Sequence, residues 1–293
     1  MAPPPILSDV LAALHHDRSL RRFFTLCWSF GRETARQNAG LRRSFRRHVV
    51  GLAAVMAAVY GVMGALHPGP AVLLMALTGA VWLTAVLLVT YFLLGLLCTE
   101  DGSPLSGLGL PNTLTVARLA LLAPIFDLVV VHDEFPELRA WLLGTFALLA
   151  LSDAADGFLA RRLRLESVFG RVVDPVCDMV FNAMLALALV LAGALPWWLL
   201  LLVWPRYFVP LVGGYYLFLT RRPFRIHPTR MGKLTGLVLG VLMGAALLDR
   251  LYPGALPPWL PLALVGVAAA LLLSNVVYVV ALGLAEARDG SAR

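Results

Sequence analysis

The chain has 293 residues, of which 60% are hydrophobic and 14% charged, and its mean hydropathy is +0.82. Soluble chains average about 25% charged residues, so this composition excludes a soluble domain and points to a polytopic membrane protein of the all-α class. The balance of 24 basic against 17 acidic residues, +7 overall with Lys233 as the single lysine, fits cytoplasmic loops and anionic headgroups; no nucleic-acid partner is expected.

In chain order, residues 1–48 hold nine arginines, with Leu20, Phe23, Phe24, Cys27 and Phe30 at helical spacing among them. The segment reads either as a basic amphipathic helix on the membrane surface or as a solvated tail obeying the positive-inside rule. A cleavable signal peptide is not expected, because the first long apolar run begins at Val49. A span needs roughly 20 apolar residues to cross about 30 Å of hydrocarbon. Candidate spans are 49–66, 71–98, 112–131, 139–161, 169–193, 197–219, 233–249 and 259–284, separated by turn residues such as His67-Pro68-Gly69-Pro70 and Tyr252-Pro253-Gly254. Arg161, Arg162 and Arg164, then Arg221, Arg222, Arg225, Arg230 and Lys233, fall in alternate connections. That pattern predicts a multi-pass protein of the cell membrane with both termini cytoplasmic. Residues 99–110 read as a flexible linker. The organisation expected is a basic segment 1–48, a two-helix extension 49–98, the linker 99–110, a six-helix domain 111–285 and a tail 286–293. Cys27, Cys98 and Cys177 are far apart and imply no disulfide framework.

Four carboxylates stand out. Asp153, Asp156, Asp174 and Asp178 lie within or at the edge of two consecutive apolar spans, where each costs roughly 2.5–3.5 kcal/mol at the bilayer centre. A lone Asp of this kind is explained by an arginine partner; four on adjacent helices point to a ligand. Asp153 and Asp156 share one helix face and Asp174 and Asp178 another. A short basic turn makes the two helices antiparallel, which matches Asp156 in depth with Asp174 and Asp153 with Asp178. Ala160 and Gly170 allow the helices to approach closely there, and Gly157 leaves backbone exposed to a ligand. Four carboxylates cannot all stay ionised without cations, and Mg²⁺ or Mn²⁺ is the hard ion that prefers such oxygens, with two ions plausible. No His/Cys cluster competes for zinc, and Cys177 reads as packing.

Residues 153–178 spell Asp-x2-Asp-Gly-x2-Ala-Arg-x8-Gly-x3-Asp-x3-Asp. All eight fixed positions resemble the signature of the CDP-alcohol phosphatidyltransferase family, and Pro111-Asn112-Thr113-Leu114-Thr115-Val116-Ala117-Arg118-Leu119 resembles the start of its first core helix. The first hundred residues lie outside the resemblance. It implies transfer of a substituted phosphate from a CDP-linked donor, usually CDP-diacylglycerol, to a small alcohol with release of CMP. It further implies that Asp153, Asp156 and Asp174 ligate metal, and that Asp178 ligates and acts as general base. Asp156, Gly157, Ala160, Arg161 and Gly170 are implied around the nucleotide, with Asn112, Thr115 and Arg118 nearby. The site is expected to face the cytoplasm.

Arg206, mid-span, reads as a phosphate ligand or as a partner in a pairing across helices. Arg230 and Lys233 either bind an acceptor phosphate or merely orient the chain. Gly232, Gly236, Gly240 and Gly244 form a stripe that suits close intramolecular packing or a homodimer seam. Glycerol 3-phosphate is the expected acceptor, with inositol phosphate, serine or choline as alternatives. A transporter using intramembrane acids lacks the internal repeat it would need, and the complete motif argues against a non-catalytic scaffold.

Overall fold

The computed structural model describes residues 20–99, 103–163, 167–219 and 230–289; for 20–24, 27, 152–163, 210, 211, 213–219, 230, 279 and 282–289 only the backbone is described. Among the described residues the chain is all-helical: α1 (Leu20–Gln37), α2 (Ala39–Leu66), α3 (Pro70–Phe92), α4 (Gly109–Val130), α5 (Arg139–Leu163), α6 (Val168–Leu191), α7 (Leu200–Leu219), α8 (Arg230–Leu251) and α9 (Trp259–Asp289). Among the described residues six helices are long and apolar enough to cross a membrane, namely α2, α3, α4, α6, Met231–Leu251 of α8 and Trp259–Tyr278 of α9. Large apolar side chains such as Leu73, Val81, Leu237 and Leu262 are exposed along them, as lipid contact requires. The protein is a multi-pass membrane protein.

The boundaries have local causes. Asn38 ends α1 and caps α2 by accepting from the Leu41 N–H at 3.0 Å. The helix therefore begins ten residues before the span expected at 49, and Arg42, Arg43, Arg46 and Arg47 lie on it. Pro70 opens α3 at a position where its missing N–H costs nothing. Gly193, at φ +73°, closes α6 by letting the Ala194 N–H reach back to the Leu189 carbonyl.

Two compact units make up the chain. The first runs to Asp127 and takes in Leu148–Phe181. In it α1 lies across the end of α3, with Trp28 packed on Tyr91 and Phe92 at 5.4 Å between centroids. Gly31 meets the Tyr91 carbonyl, and Gly95 meets Phe30. The linker-like composition of 99–110 is deceptive. Leu105 N–H bonds back to Leu97, Thr99 N–H to Ser103, and Val168 N–H to the Cys98 carbonyl. Leu94, Leu97 and Leu108 are buried with Val116, Phe169 and Val173, so apolar burial turns the segment into a clasp beneath α4 and α6.

Helices α2 and α3 are tied to α4 by polar contacts. Trp82 Nε1 donates to the Leu119 carbonyl at 2.7 Å. Tyr60 packs against Gly79, where no side chain fits, and donates from its hydroxyl to Asp127 Oδ2 at 2.6 Å. Asp127 is a further intramembrane acid, detectable in sequence by the same rule as the other four.

The second unit holds Leu128–Ala147 and everything from Asn182 onward. Here α9 packs on α7 and α8, and Asp133 gathers His132, Arg139 and Arg250 at 3.2, 3.8 and 3.3 Å. Gly244 accepts the edge of Phe146, whose Cε1 would stand 3.2 Å from an added Cβ. The stripe on α8 thus serves intramolecular packing at that level.

Replacing Tyr60 with Phe leaves the Asp127 carboxyl without its hydroxyl donor in an apolar setting. We expect a loss of about 1–2 kcal/mol, read as a lower thermal midpoint of the detergent-solubilised protein.

Candidate active site

α4 and α6 meet along a ladder of polar residues. On α4, Asn112, Thr115 and Arg118 recur every three residues and are buried, at 2%, 2% and 3% exposure. On α6, Gly170, Asp174 and Asp178 recur every four, one turn apart. Each α4 residue meets the α6 residue at its own level, so numbering rises together and the two helices run parallel.

The lowest rung builds the start of α6. Ser167 Oγ accepts from the Gly170 N–H at 3.0 Å and donates to Asn112 Oδ1 at 2.9 Å. Asn112 in turn donates from Nδ2 to the Leu108 carbonyl at 2.6 Å. Ser167 is an N-cap three residues before the Gly170 N–H that donates to it, a signal present in the sequence and passed over there. Asn112, expected near the nucleotide, is buried with both ends of its amide engaged by protein. Gly170 stands where a Cβ would lie 3.1 Å from Asn112 Oδ1 and 3.4 Å from both Asp174 Oδ2 and Ser167 Oγ. The absent side chain leaves a polar cradle beside the first carboxylate.

On the middle rung Thr115 Oγ1 donates to Asp174 Oδ1 at 2.8 Å, while Asp174 itself stays exposed. Cys177 is buried behind it, with Sγ 3.6 Å from the Thr115 carbonyl, which suits packing. Pro175 follows Asp174 and removes one intrahelical N–H. On the upper rung Arg118 Nη1 donates to Asp178 Oδ1 at 3.1 Å; the arginine side chain is 4% exposed and the aspartate 45%. A buried cation therefore fixes one edge of a carboxylate whose remainder is accessible.

Asp153, Asp156, Gly157, Ala160 and Arg161 lie on the final turns of α5, and their side chains fall outside the described residues. Among the described residues no three His, Cys, Asp or Glu side chains converge. Asp174 and Asp178 are accessible oxygen donors one turn apart, a donor set suited to a hard divalent cation.

In the second unit, Arg206 Nη2 donates to the Gly232 carbonyl at 2.8 Å, and the guanidinium lies 5.6 Å from the Tyr207 ring centre. Its Nε and Nη1 are buried without a hydrogen-bond partner among the described residues. The structure thus brings Arg206 to the first turn of α8, which also carries Arg230 and the exposed Lys233. The side chain of Arg230 is outside the described residues.

A family model described as CDP-alcohol phosphatidyltransferase matches residues 108–283. A cardiolipin synthase (CMP-forming) of Streptomyces coelicolor is 38% identical over 101 residues, 34% of this chain and 46% of that protein. A CDP-diacylglycerol–glycerol-3-phosphate 3-phosphatidyltransferase of Cereibacter sphaeroides is 39% identical over 95 residues, 31% of this chain and 41% of that protein. The chloroplastic enzyme of the same name from Oryza sativa subsp. japonica is 38% identical over 86 residues, 28% of this chain and 24% of that protein. The chain spans about half the length, or less, of these relatives.

Gly170→Ala places a methyl group in the cradle and is expected to lower turnover at least tenfold while the protein stays folded. Gly240→Ala, where an added Cβ meets nothing within 4 Å, is the matched control and should leave turnover unchanged. Parallel activity and melting measurements on the two variants check this.

Proposed function

The chain belongs to the CDP-alcohol phosphatidyltransferase family, and from that premise we propose that it transfers a phosphatidyl group from CDP-diacylglycerol to glycerol 3-phosphate, releasing CMP. The observation that carries the reading is the α4–α6 ladder, which presents Asp174 and Asp178 to one accessible face and holds each with a partner from α4. The names of the Cereibacter and Oryza relatives support glycerol 3-phosphate as acceptor, whereas that of the Streptomyces relative favours cardiolipin formation as the second reading.

In the proposed reaction the acceptor hydroxyl oxygen bonds to the lipid-side phosphorus of the diphosphate as the bond from that phosphorus to the CMP oxygen breaks. The hydroxyl proton passes to Asp178, and CMP leaves with the bonding pair. Arg118 is a positioning residue that fixes the orientation of Asp178. Thr115 does the same for Asp174, and Ser167 with Asn112 sets the start of the helix carrying both. Asp153, Asp156, Asp174 and Asp178 would hold one or two Mg²⁺ or Mn²⁺ ions, whose charge would offset that of the diphosphate and of departing CMP. Arg161, Gly157, Ala160 and Gly170 remain the proposed nucleotide neighbours. Arg206, Arg230 and Lys233 are the proposed acceptor ligands, with two buried nitrogens of Arg206 that lack a partner among the described residues as support. The proposed setting is the cell membrane with the site facing the cytoplasm.

Purified protein should release CMP from CDP-diacylglycerol only when Mg²⁺ or Mn²⁺ and an alcohol are both supplied. In a panel of glycerol 3-phosphate, inositol phosphate, serine, choline and phosphatidylglycerol, the first should give the largest yield of lipid product by mass spectrometry. Asp178→Asn should reduce turnover at least about a hundredfold in a folded protein; a variant that retains turnover removes Asp178 from the role of base.

A further inference from the structure

α2 presents two unlike surfaces at the end where it meets Leu108. Ser44 Oγ accepts from the Leu108 N–H at 3.3 Å and His48 bonds to Thr113 Oγ1 at 2.8 Å, so one side of the helix holds the start of α4. Another side of the same two turns carries Arg42, Arg43, Arg46 and Arg47, all exposed, which line a single shallow groove with Val50 and Gly51. Arg42 with Arg46 and Arg43 with Arg47 are like-charge pairs at i,i+4, which destabilise a helix. Arg42 and Arg43 also lie at the N-terminal end of the helix, whose dipole opposes cations. Among the described residues no acidic side chain pairs with any of them. An anion seated between the two rows relieves both penalties, because paired guanidinium forks match phosphate oxygens.

The surface below the groove is apolar and low. Val50, Ala54, Ala57 and Gly61 continue from the arginines along exposed helix, and nothing approaches within 4 Å of the space beside Gly51 or Gly61. A cationic cradle above an open apolar track has the chemistry of a phospholipid, charged at the head and apolar below.

We propose that the Arg42/Arg43/Arg46/Arg47 groove binds the phosphate headgroup of an anionic membrane phospholipid, whose acyl chains run along Val50, Ala54 and Gly61. The site lies on a helix separate from the aspartate ladder, and its opposite side braces the helix that supplies Thr115 and Arg118.

The test incubates the purified full-length protein with equal amounts of phosphatidylglycerol and phosphatidylcholine and counts retained lipids by native mass spectrometry. Wild type should retain phosphatidylglycerol preferentially. Arg42→Gln with Arg46→Gln should cut that preference by roughly fivefold per arginine, with unchanged elution and melting midpoint. Millimolar inorganic phosphate should not displace the lipid. A second measurement needs no variant: a photoreactive phosphatidylglycerol should label residues 42–61 of the wild-type chain. Equal retention of the two lipids, an undiminished preference in the double variant, displacement by phosphate, or labelling confined to other helices would each overturn the proposal.

Discussion

A carboxylate inside an apolar helix bundle survives only where something of opposite polarity meets it, and the first unit of this protein is organised around that requirement. Each intramembrane acid costs roughly 2.5–3.5 kcal/mol at the bilayer centre. Asp174 is met by the Thr115 hydroxyl and Asp178 by the Arg118 guanidinium. The dependence is mutual. Arg118 is nearly fully buried, and a buried guanidinium stripped of its aspartate is itself a costly uncompensated charge. The parallel register of α4 on α6 therefore answers to the electrostatics of both helices.

That register has to be held from outside as well, because polar rungs alone do not stop one helix from sliding on another. Four side chains of α2 and α3 do this: Ser44 and His48 at the start of α4, Trp82 at Leu119, and Tyr60 at Asp127. The clasp between Leu97 and Leu105 closes the same end from below and joins α6 through the bond from Val168 to Cys98. The helices that precede the family-matched region are thus a brace for its first helix. Half of the spanning window of α4 is buried, against 17% for α2 and 22% for α3, as expected of a helix that others surround.

Much of this was legible in the residues. Each of the eight apolar stretches falls mainly on a helix, though 71–98 leaves its helix at Phe92, since length and hydropathy are local properties and Pro70, Gly193 and Pro253 mark breaks that backbone chemistry enforces. The spacing of Asp174 and Asp178 showed a shared face for the same reason. What escaped was tertiary or masked by composition. Arg42 to Arg47 fall in a segment that reads either as a surface helix or as a tail, yet Asn38 caps them into the spanning helix α2 itself. Ser103, Pro104, Ser106 and Gly107 read as a linker, but Leu105 packs against the core and Leu108 is buried in it. The pairings of Thr115 with Asp174 and Arg118 with Asp178 join positions some 60 residues apart, and no periodicity reports such a contact.

The most direct test of the account is Mn²⁺ binding to the purified protein followed by electron paramagnetic resonance, with no substrate present. The account predicts up to two bound ions in the wild type. Affinity should fall at least about a hundredfold in Asp174→Asn and about tenfold in Thr115→Val, since a residue that orients a metal ligand typically contributes about 10–100-fold. Mn²⁺ bound equally well by all three proteins would contradict it.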